Sequence, residues 1–323
     1  IYTPTEVNHI PAEWIIPPGT STGRAILYFH GGSYNSGSIY SHRSLATNIA
    51  QSAQARALLV GYRLAPEHPF PAAVDDALTA YRWLLENQFH SDQIIVAGDS
   101  AGGGLALALL LRLREAALPL PAAAVCLSPW TDLTCLGNSW QANAKKDVML
   151  VPGLLRASAR LYLGEADART PLASPLYADL TGLPPILIQV GSDELLLSDG
   201  TEFTERARAA GVEVTLEVWQ GMQHEWHFAA NLLPEGSFTD LLAASRRSVA
   251  HFPQLVEELW ARMASGGYSV ALRQDIPHFN GGLFEDARAL PLNADQLQLL
   301  IEAARADWRD VEPAIFGTLL ERA

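Results

Sequence analysis

The stretch Gly98-Asp99-Ser100-Ala101-Gly102 is entered from the apolar run Ile94-Ile95-Val96-Ala97 and left through Gly103, Gly104 and the helix-forming Leu105 to Leu113. It reads as strand, sharp turn and helix, with a serine at the apex. Such a turn strains the serine backbone and lifts the hydroxyl above the sheet edge, while small residues two positions either side let strand and helix approach closely. The chemistry this suits is nucleophilic attack on an acyl carbon. A hydroxyl is a poor nucleophile until a base takes its proton, and the base needs an acid to fix its tautomer and stabilise its cation. Downstream, Ile186-Leu187-Ile188-Gln189-Val190 ends in Gly191-Ser192-Asp193-Glu194, which puts a carboxylate just beyond the carboxyl end of a strand. Open α/β sheets place functional groups there, and Asp193 is the expected acid. The next apolar run, Val212 to Val218, leads into Gln220-Gly221-Met222-Gln223-His224, and His224 is the expected base.

Competitors stand close by. His227 is the substitute for His224; Glu194 and Asp199 compete with Asp193, but Asp199 falls in an expected helix and both read as solvated charges. His224-Glu225-Trp226-His227 resembles a zinc motif, yet two ligands on one helical face need a spacing of four with the Glu between, and here the spacing is three. No metal and no cofactor are expected. The transition state of acyl transfer carries an oxyanion that must meet preorganised N–H donors. The apolar run Ala25 to Phe29 ends in the glycine-rich His30-Gly31-Gly32-Ser33-Tyr34, placed to supply such donors beside the N–H of Ala101.

Alternating apolar strands and helical stretches must hold these pieces. Strands are expected at residues 12–16, 25–29, 57–60, 94–97, 123–127, 186–190 and 212–218, and helices at 45–53, 72–87, 105–116 and 200–210. Continuously apolar strands interleaved with helices give an α/β fold, a mostly parallel sheet with helices on both faces. Residues 130–175 break the rhythm with Trp130, Trp140, Met149, Leu154, Leu155 and Tyr162, an insertion that reads either as a lid or as ordinary surface packing. With 323 residues, 49% hydrophobic and 18% charged, the chain is long enough for one large domain and an appendage. A net charge of −13 without any basic run argues against a nucleic-acid surface. The two cysteines, Cys126 in an apolar run and Cys135 in polar sequence, imply no disulfide framework and fit a reducing, cytoplasmic setting. No apolar stretch approaches membrane-spanning length. The chain does not begin with Met, so a trimmed upstream segment stays open.

The residues His30-Gly31-Gly32, the run from Gly61-Tyr62-Arg63 to Pro71-Ala72-Ala73, Gly98 to Gly103, Asp193-Glu194-Leu195 and Gly221-Met222-Gln223-His224 together resemble the hormone-sensitive lipase family of carboxylesterases, especially its bacterial members. The resemblance covers residues 10–250. It implies an α/β-hydrolase fold, cleavage of short- to medium-chain esters by a triad of Ser100, Asp193 and His224, and an oxyanion hole from Gly31 or Gly32, Ser33 and Ala101. Three departures stand out: the family's His-Gly-Gly-Gly is His30-Gly31-Gly32-Ser33 here, its Asp-Pro-Leu is Asp193-Glu194-Leu195, and the residues it carries ahead of the first strands as part of a cap are mostly lacking. A partial cap is therefore expected on an α/β-hydrolase domain spanning 1–254, with its cap insertion at 130–175.

The remaining 255–323 form a C-terminal extra segment. Pro277-His278-Phe279-Asn280-Gly281-Gly282-Leu283-Phe284, Ala306-Asp307-Trp308 and Glu312 to Arg322 resemble a fragment of adenine-specific DNA methyltransferases of restriction-modification systems. That likeness stops before any cofactor-binding glycine loop or Asn-Pro-Pro motif, and acidic residues outnumber basic ones, so no methyl transfer and no nucleic-acid partner are expected. The partner is a small-molecule ester, and a homodimer stays open. The rival readings are an amidase resembling arylacetamide deacetylase, and a non-catalytic binder of a small ligand like the gibberellin receptors, which lack the histidine that His224 supplies here.

Overall fold

The computed structural model describes residues 1–20, 23–231, 267–269 and 274–276. Its frame is an eight-stranded sheet in the order β1-β2-β4-β3-β5-β6-β7-β8. Strands β3 (Ala25–Phe29), β4 (Arg56–Val60), β5 (Ile94–Asp99), β6 (Ala123–Leu127), β7 (Ile186–Gly191) and β8 (Val214–Trp219) run parallel. Buried on both faces, β3 and β4 are apolar nearly throughout. The chain steps from β3 to β4 on one side and then to β5 on the other, so the sheet order reverses between β3 and β5. Phe29 pairs with Gly98 there, and the crevice opened by such a reversal lies beyond the carboxyl ends of the strands. His30 and Ser100 are the next residues out.

One strand of this sheet has no counterpart in the sequence reading. β1 (Tyr2–Val7) forms an antiparallel hairpin with β2 (Ile10–Ile15), and β2 then pairs antiparallel with β4. β1 lies at the sheet edge and is mostly exposed, so it lacks the apolar run that marks the other strands. Its signal is the turn, Asn8-His9 with φ of 47° and 72°, which matches the twist of a two-residue hairpin.

The helices are α1 (Ile39–Ser52), α2 (Ala72–Glu86), α3 (Ala101–Glu115), α4 (Ser139–Ala142), α5 (Pro152–Leu163) and α6 (Leu197–Ala209). α1 begins earlier than its apolar residues suggest, because Ser38 and Ser41 form a reciprocal capping box. α3 begins at Ala101 rather than Leu105, since Gly102, Gly103 and Gly104 are helical. Glycine weakens a helix, but a side chain on Gly104 would strike the Trp130 carbonyl, so the close packing of this central helix requires it. Nearly every residue of α3 is buried, as expected for a helix inside the core. Among the described residues no helix is long and apolar enough to cross a membrane.

Contacts divide the chain into one unit of Ile1–Trp226 and a second of His227–Ala323. The second holds an antiparallel hairpin of β9 (Gly267–Ser269) and β10 (Gln274–Ile276). The expected boundary at residue 254 and the motifs at 277–284, 306–308 and 312–322 lie outside the described residues.

Candidate active site

Ser100 joins β5 to α3 with φ 51° and ψ −119°, a left-handed conformation costly for a residue with a side chain. Its main chain is pinned on both sides. Ser100 N donates to Leu127 O at 2.8 Å, and Trp130 N donates to Ser100 O at 2.9 Å. The flanking glycines are sterically required: a methyl on Gly98 would strike the Gly102 carbonyl, and one on Gly102 would strike the Phe29 carbonyl.

The Ser100 Oγ–H donates to His224 Nε2 at 3.0 Å, and the opposite ring nitrogen, Nδ1, donates to Glu194 Oε2 at 2.6 Å. A carboxylate only accepts, so this contact assigns the proton to Nδ1 and leaves Nε2 as the acceptor of the Ser100 hydroxyl. Burial alone would lower the imidazole pKa; with Glu225 ionised, its carboxylate together with Glu194 and Asp147 would outweigh burial and raise it to about 9.

Glu194, not the expected Asp193, is the carboxylate against the His224 ring. Asp193 points outward, its side chain 30% exposed and 3.6 Å from Lys146 Nζ, while its own N–H donates to Met222 O at 3.2 Å. Glu194 is fully buried; Gly191 N donates to its Oε1 at 2.7 Å, and the longer side chain reaches back to His224. The reading of Glu194 and Asp199 as solvated charges is likewise corrected. Asp199 is buried in the first turn of α6, accepting from the N–H groups of Thr131 at 3.0 Å and Asp132 at 2.9 Å, a structural role. His227 falls in the second unit.

The oxyanion loop departs at one position. The Gly31 N–H donates to Asp99 Oδ2 at 2.8 Å, so it is spent inside the fold and is not a free donor. The N–H groups of Gly32 and Ser33, with φ of 116° and 55°, and of Ala101 at the start of α3 remain for an oxyanion. The N-terminal end of α3 adds a favourable dipole. Strain at Tyr34, φ 62°, is offset by burial and by its stack on Tyr162 with ring centroids 3.8 Å apart. Tyr62, from the run Gly61 to Ala73, stacks on the His30 ring at 4.4 Å and donates to His30 O at 2.7 Å.

Several supporting residues escaped the sequence reading. Asp99 takes Tyr28 Oη–H at 2.5 Å on Oδ1 and His42 Nε2–H at 3.1 Å on Oδ2 besides Gly31. Burial opposes its charge, yet the hydrogen bonds from His42 and Tyr28 help to hold its pKa down at about 2. From the insertion, Asn143 Nδ2 donates to the carbonyls of Ser192 and Glu194, each at 2.9 Å, and Asp147 accepts from Leu195 N at 2.7 Å. The same insertion reaches the base loop, where Val148 N donates to Gln223 Oε1 at 3.0 Å, and the oxyanion loop, where Asn35 Nδ2 donates to Ser158 Oγ at 2.9 Å. It is therefore a brace on the site loops. Only Asp99 had a positional signal, inside the elbow; Asn143 and Asp147 are polar residues in irregular sequence, and Tyr28 and His42 lie within regular elements that give no sign of the contact.

A strained serine at a strand-to-helix turn, a buried imidazole on its hydroxyl and main-chain donors across the switch point are the equipment of a serine hydrolase. The chain belongs to the α/β-hydrolase fold family, whose family model matches residues 26–228. An acetyl-hydrolase of Streptomyces hygroscopicus is 50% identical over 230 residues, 71% of this chain and 77% of that protein. An esterase of Acinetobacter venetianus is 39% identical over 216 residues, 67% of this chain and 71% of that one. A crystal structure of an esterase from the bacterial hormone-sensitive lipase family superposes with a TM-score of 0.71 at 51% identity, covering 73% of this chain and 80% of that one.

Proposed function

We propose that this protein is a serine carboxylesterase acting on short- to medium-chain esters. The observation that carries the reading is the hydrogen-bonded chain from Ser100 through His224 to Glu194, at 3.0 Å and 2.6 Å. Ser100 Oγ attacks the ester carbonyl carbon while His224 Nε2 takes its proton. The carbonyl oxygen becomes an oxyanion bound by the N–H groups of Gly32, Ser33 and Ala101. His224 returns the proton to the departing alcohol oxygen, leaving the acyl group on Ser100. A water then gives its proton to His224 as its oxygen attacks the acyl carbon, and the return of that proton to Ser100 frees the acid. Glu194 holds the ring and balances the imidazolium. That its relatives include an acetyl-hydrolase and an esterase supports ester cleavage over the amidase and non-catalytic binding readings. Cys126 and Cys135 are both buried free thiols, which supports a reducing, cytoplasmic setting.

A p-nitrophenyl ester series from acetate to decanoate, run beside the matching anilides, tests this. Hydrolysis is expected to peak at short to medium acyl length with the anilides far slower, and a phosphonate or sulfonyl fluoride is expected to add its mass at Ser100. Anilide turnover equal to ester turnover, or labelling elsewhere, overturns the reading.

We further read residues 255–323 as an appendage that resembles a methyltransferase fragment and takes no part in ester cleavage. Ending the chain after Arg262 is expected to leave kcat/KM for p-nitrophenyl butyrate within about threefold of the full chain, the span of a change remote from the chemistry. A folded but inactive truncation would show that the segment contributes.

A further inference from the structure

We propose that Glu225 is a positioning residue of the catalytic centre, a neutral carboxylic acid that donates its proton to Asp99 and so clamps the base loop to the serine elbow and the oxyanion loop. This role presupposes the assignment of Ser100, His224 and Glu194 made above. Glu225 follows His224 directly, is 9% exposed, and has φ 53°, a left-handed conformation that a side chain enters only under constraint. Its main-chain N–H donates to Ser128 Oγ at 3.4 Å. The side chain turns inward over Gly31. A methyl built on Gly31 would strike Asp99 Oδ2 and lie 2.6 Å from Glu225 Oε1, so the two carboxyl groups converge on one face of that glycine.

Two carboxylates cannot share such a place. Ionised, Glu225 Oε1 would be buried without a donor among the described residues; His224 Nε2 is 3.6 Å away and already accepts from Ser100. Asp99 is the group furnished for a negative charge, with Tyr28, Gly31 and His42 all donating to it. A proton on Glu225 removes the repulsion and turns the unpaired oxygen into a donor toward Asp99. The groups facing Glu225 are Asp99 at the end of β5, His224 beside it, Glu194 after β7, Tyr28 on β3 and Tyr62 after β4. His42 acts on it through Asp99, and Asp147 acts on His224 from the insertion.

Because Asp99 also accepts the Gly31 N–H, this one proton ties together the loops that carry the base, the nucleophile and the oxyanion donors. It also keeps a negative charge away from His224, on which a Glu225 carboxylate would exert the strongest upward pull. Loss of that proton at alkaline pH sets two carboxylates against each other and places a charge beside the forming oxyanion.

The test is the pH profile of kcat/KM for p-nitrophenyl butyrate on wild type, Glu225→Gln and Glu225→Ala, with active sites counted by titration. Glu225→Ala is expected to lose about tenfold in kcat through misplacement of the base. Glu225→Gln, whose amide donates to Asp99 but cannot ionise, should recover most of that loss and abolish the alkaline decline, with the acid midpoint unmoved. Glu225→Gln as slow as Glu225→Ala, a persistent alkaline decline, or an acid midpoint lowered by a unit or more would overturn the role. Thermal unfolding supplies a readout that needs no activity. Wild-type stability from a raised acid pKa is present below its unfolded value and is lost as pH rises toward the folded one, so the Tm advantage of Glu225→Gln should widen from pH 5 to pH 9. A difference independent of pH overturns it. Failure of the wild type to hydrolyse esters would instead sink the esterase reading.

Discussion

Replacing Ser100 by Ala lowers kcat for p-nitrophenyl butyrate by about 10^4-fold or more, equivalent to roughly 5.5 kcal/mol of transition-state stabilisation, while the chain still folds. The size follows from chemistry with no substitute: among the described residues, only Ser100 Oγ stands at 3.0 Å from His224 Nε2 with a proton to give. The fold survives because the elbow is secured by main-chain bonds from Ser100 N to Leu127 O and from Trp130 N to Ser100 O, which alanine keeps. Steady-state kinetics and a circular-dichroism melt check both halves. Residual turnover within tenfold of wild type would place the nucleophile elsewhere.

Glu194→Gln is the second large effect, about 10^3- to 10^4-fold in kcat, whereas Asp193→Asn stays within about threefold. The amide keeps the volume of the carboxyl group but neither balances an imidazolium nor insists on the Nδ1–H tautomer, so His224 loses the partner now at 2.6 Å. Asp193 faces Lys146 at the surface, and exposed pairs of that kind contribute little. Parallel kinetics on the two variants decide the acid. A reversal, with Asp193→Asn the crippled enzyme, would restore Asp193 to the role.

That contrast marks how far the sequence could be read. Ser100 and His224 were legible because glycine-flanked turns after apolar runs announce both where a strand ends and that a functional loop begins there. Most of the parallel strands were legible for the same reason, β3 and β4 above all being apolar nearly along their length. The choice between Asp193 and Glu194 was not, since neighbouring residues in a turn point in different directions and only the path of the backbone decides which reaches inward. Here the Asp193 N–H is taken by Met222 O, which turns the aspartate out and the glutamate in. Gly31 was misread for a similar reason: a glycine-rich loop declares donors without declaring which of them the fold consumes, and Asp99 consumes this one. β1 went unread because an exposed edge strand carries no apolar signature.

The insertion between β6 and β7 grips the acid loop through Asn143 and Asp147 and the base loop through the Val148 contact to Gln223. Those two loops therefore drift together when this layer shifts, which preserves the spacing between Glu194 and His224. Ser100 is anchored instead at the root of that insertion, to Leu127 at the end of β6 and to Trp130 just beyond it. Distortion of the outer layer by heat, mutation or a bulky substrate thus falls on the gap between serine and histidine, and the distance over which the proton must first move becomes the gauge of how well this enzyme is assembled.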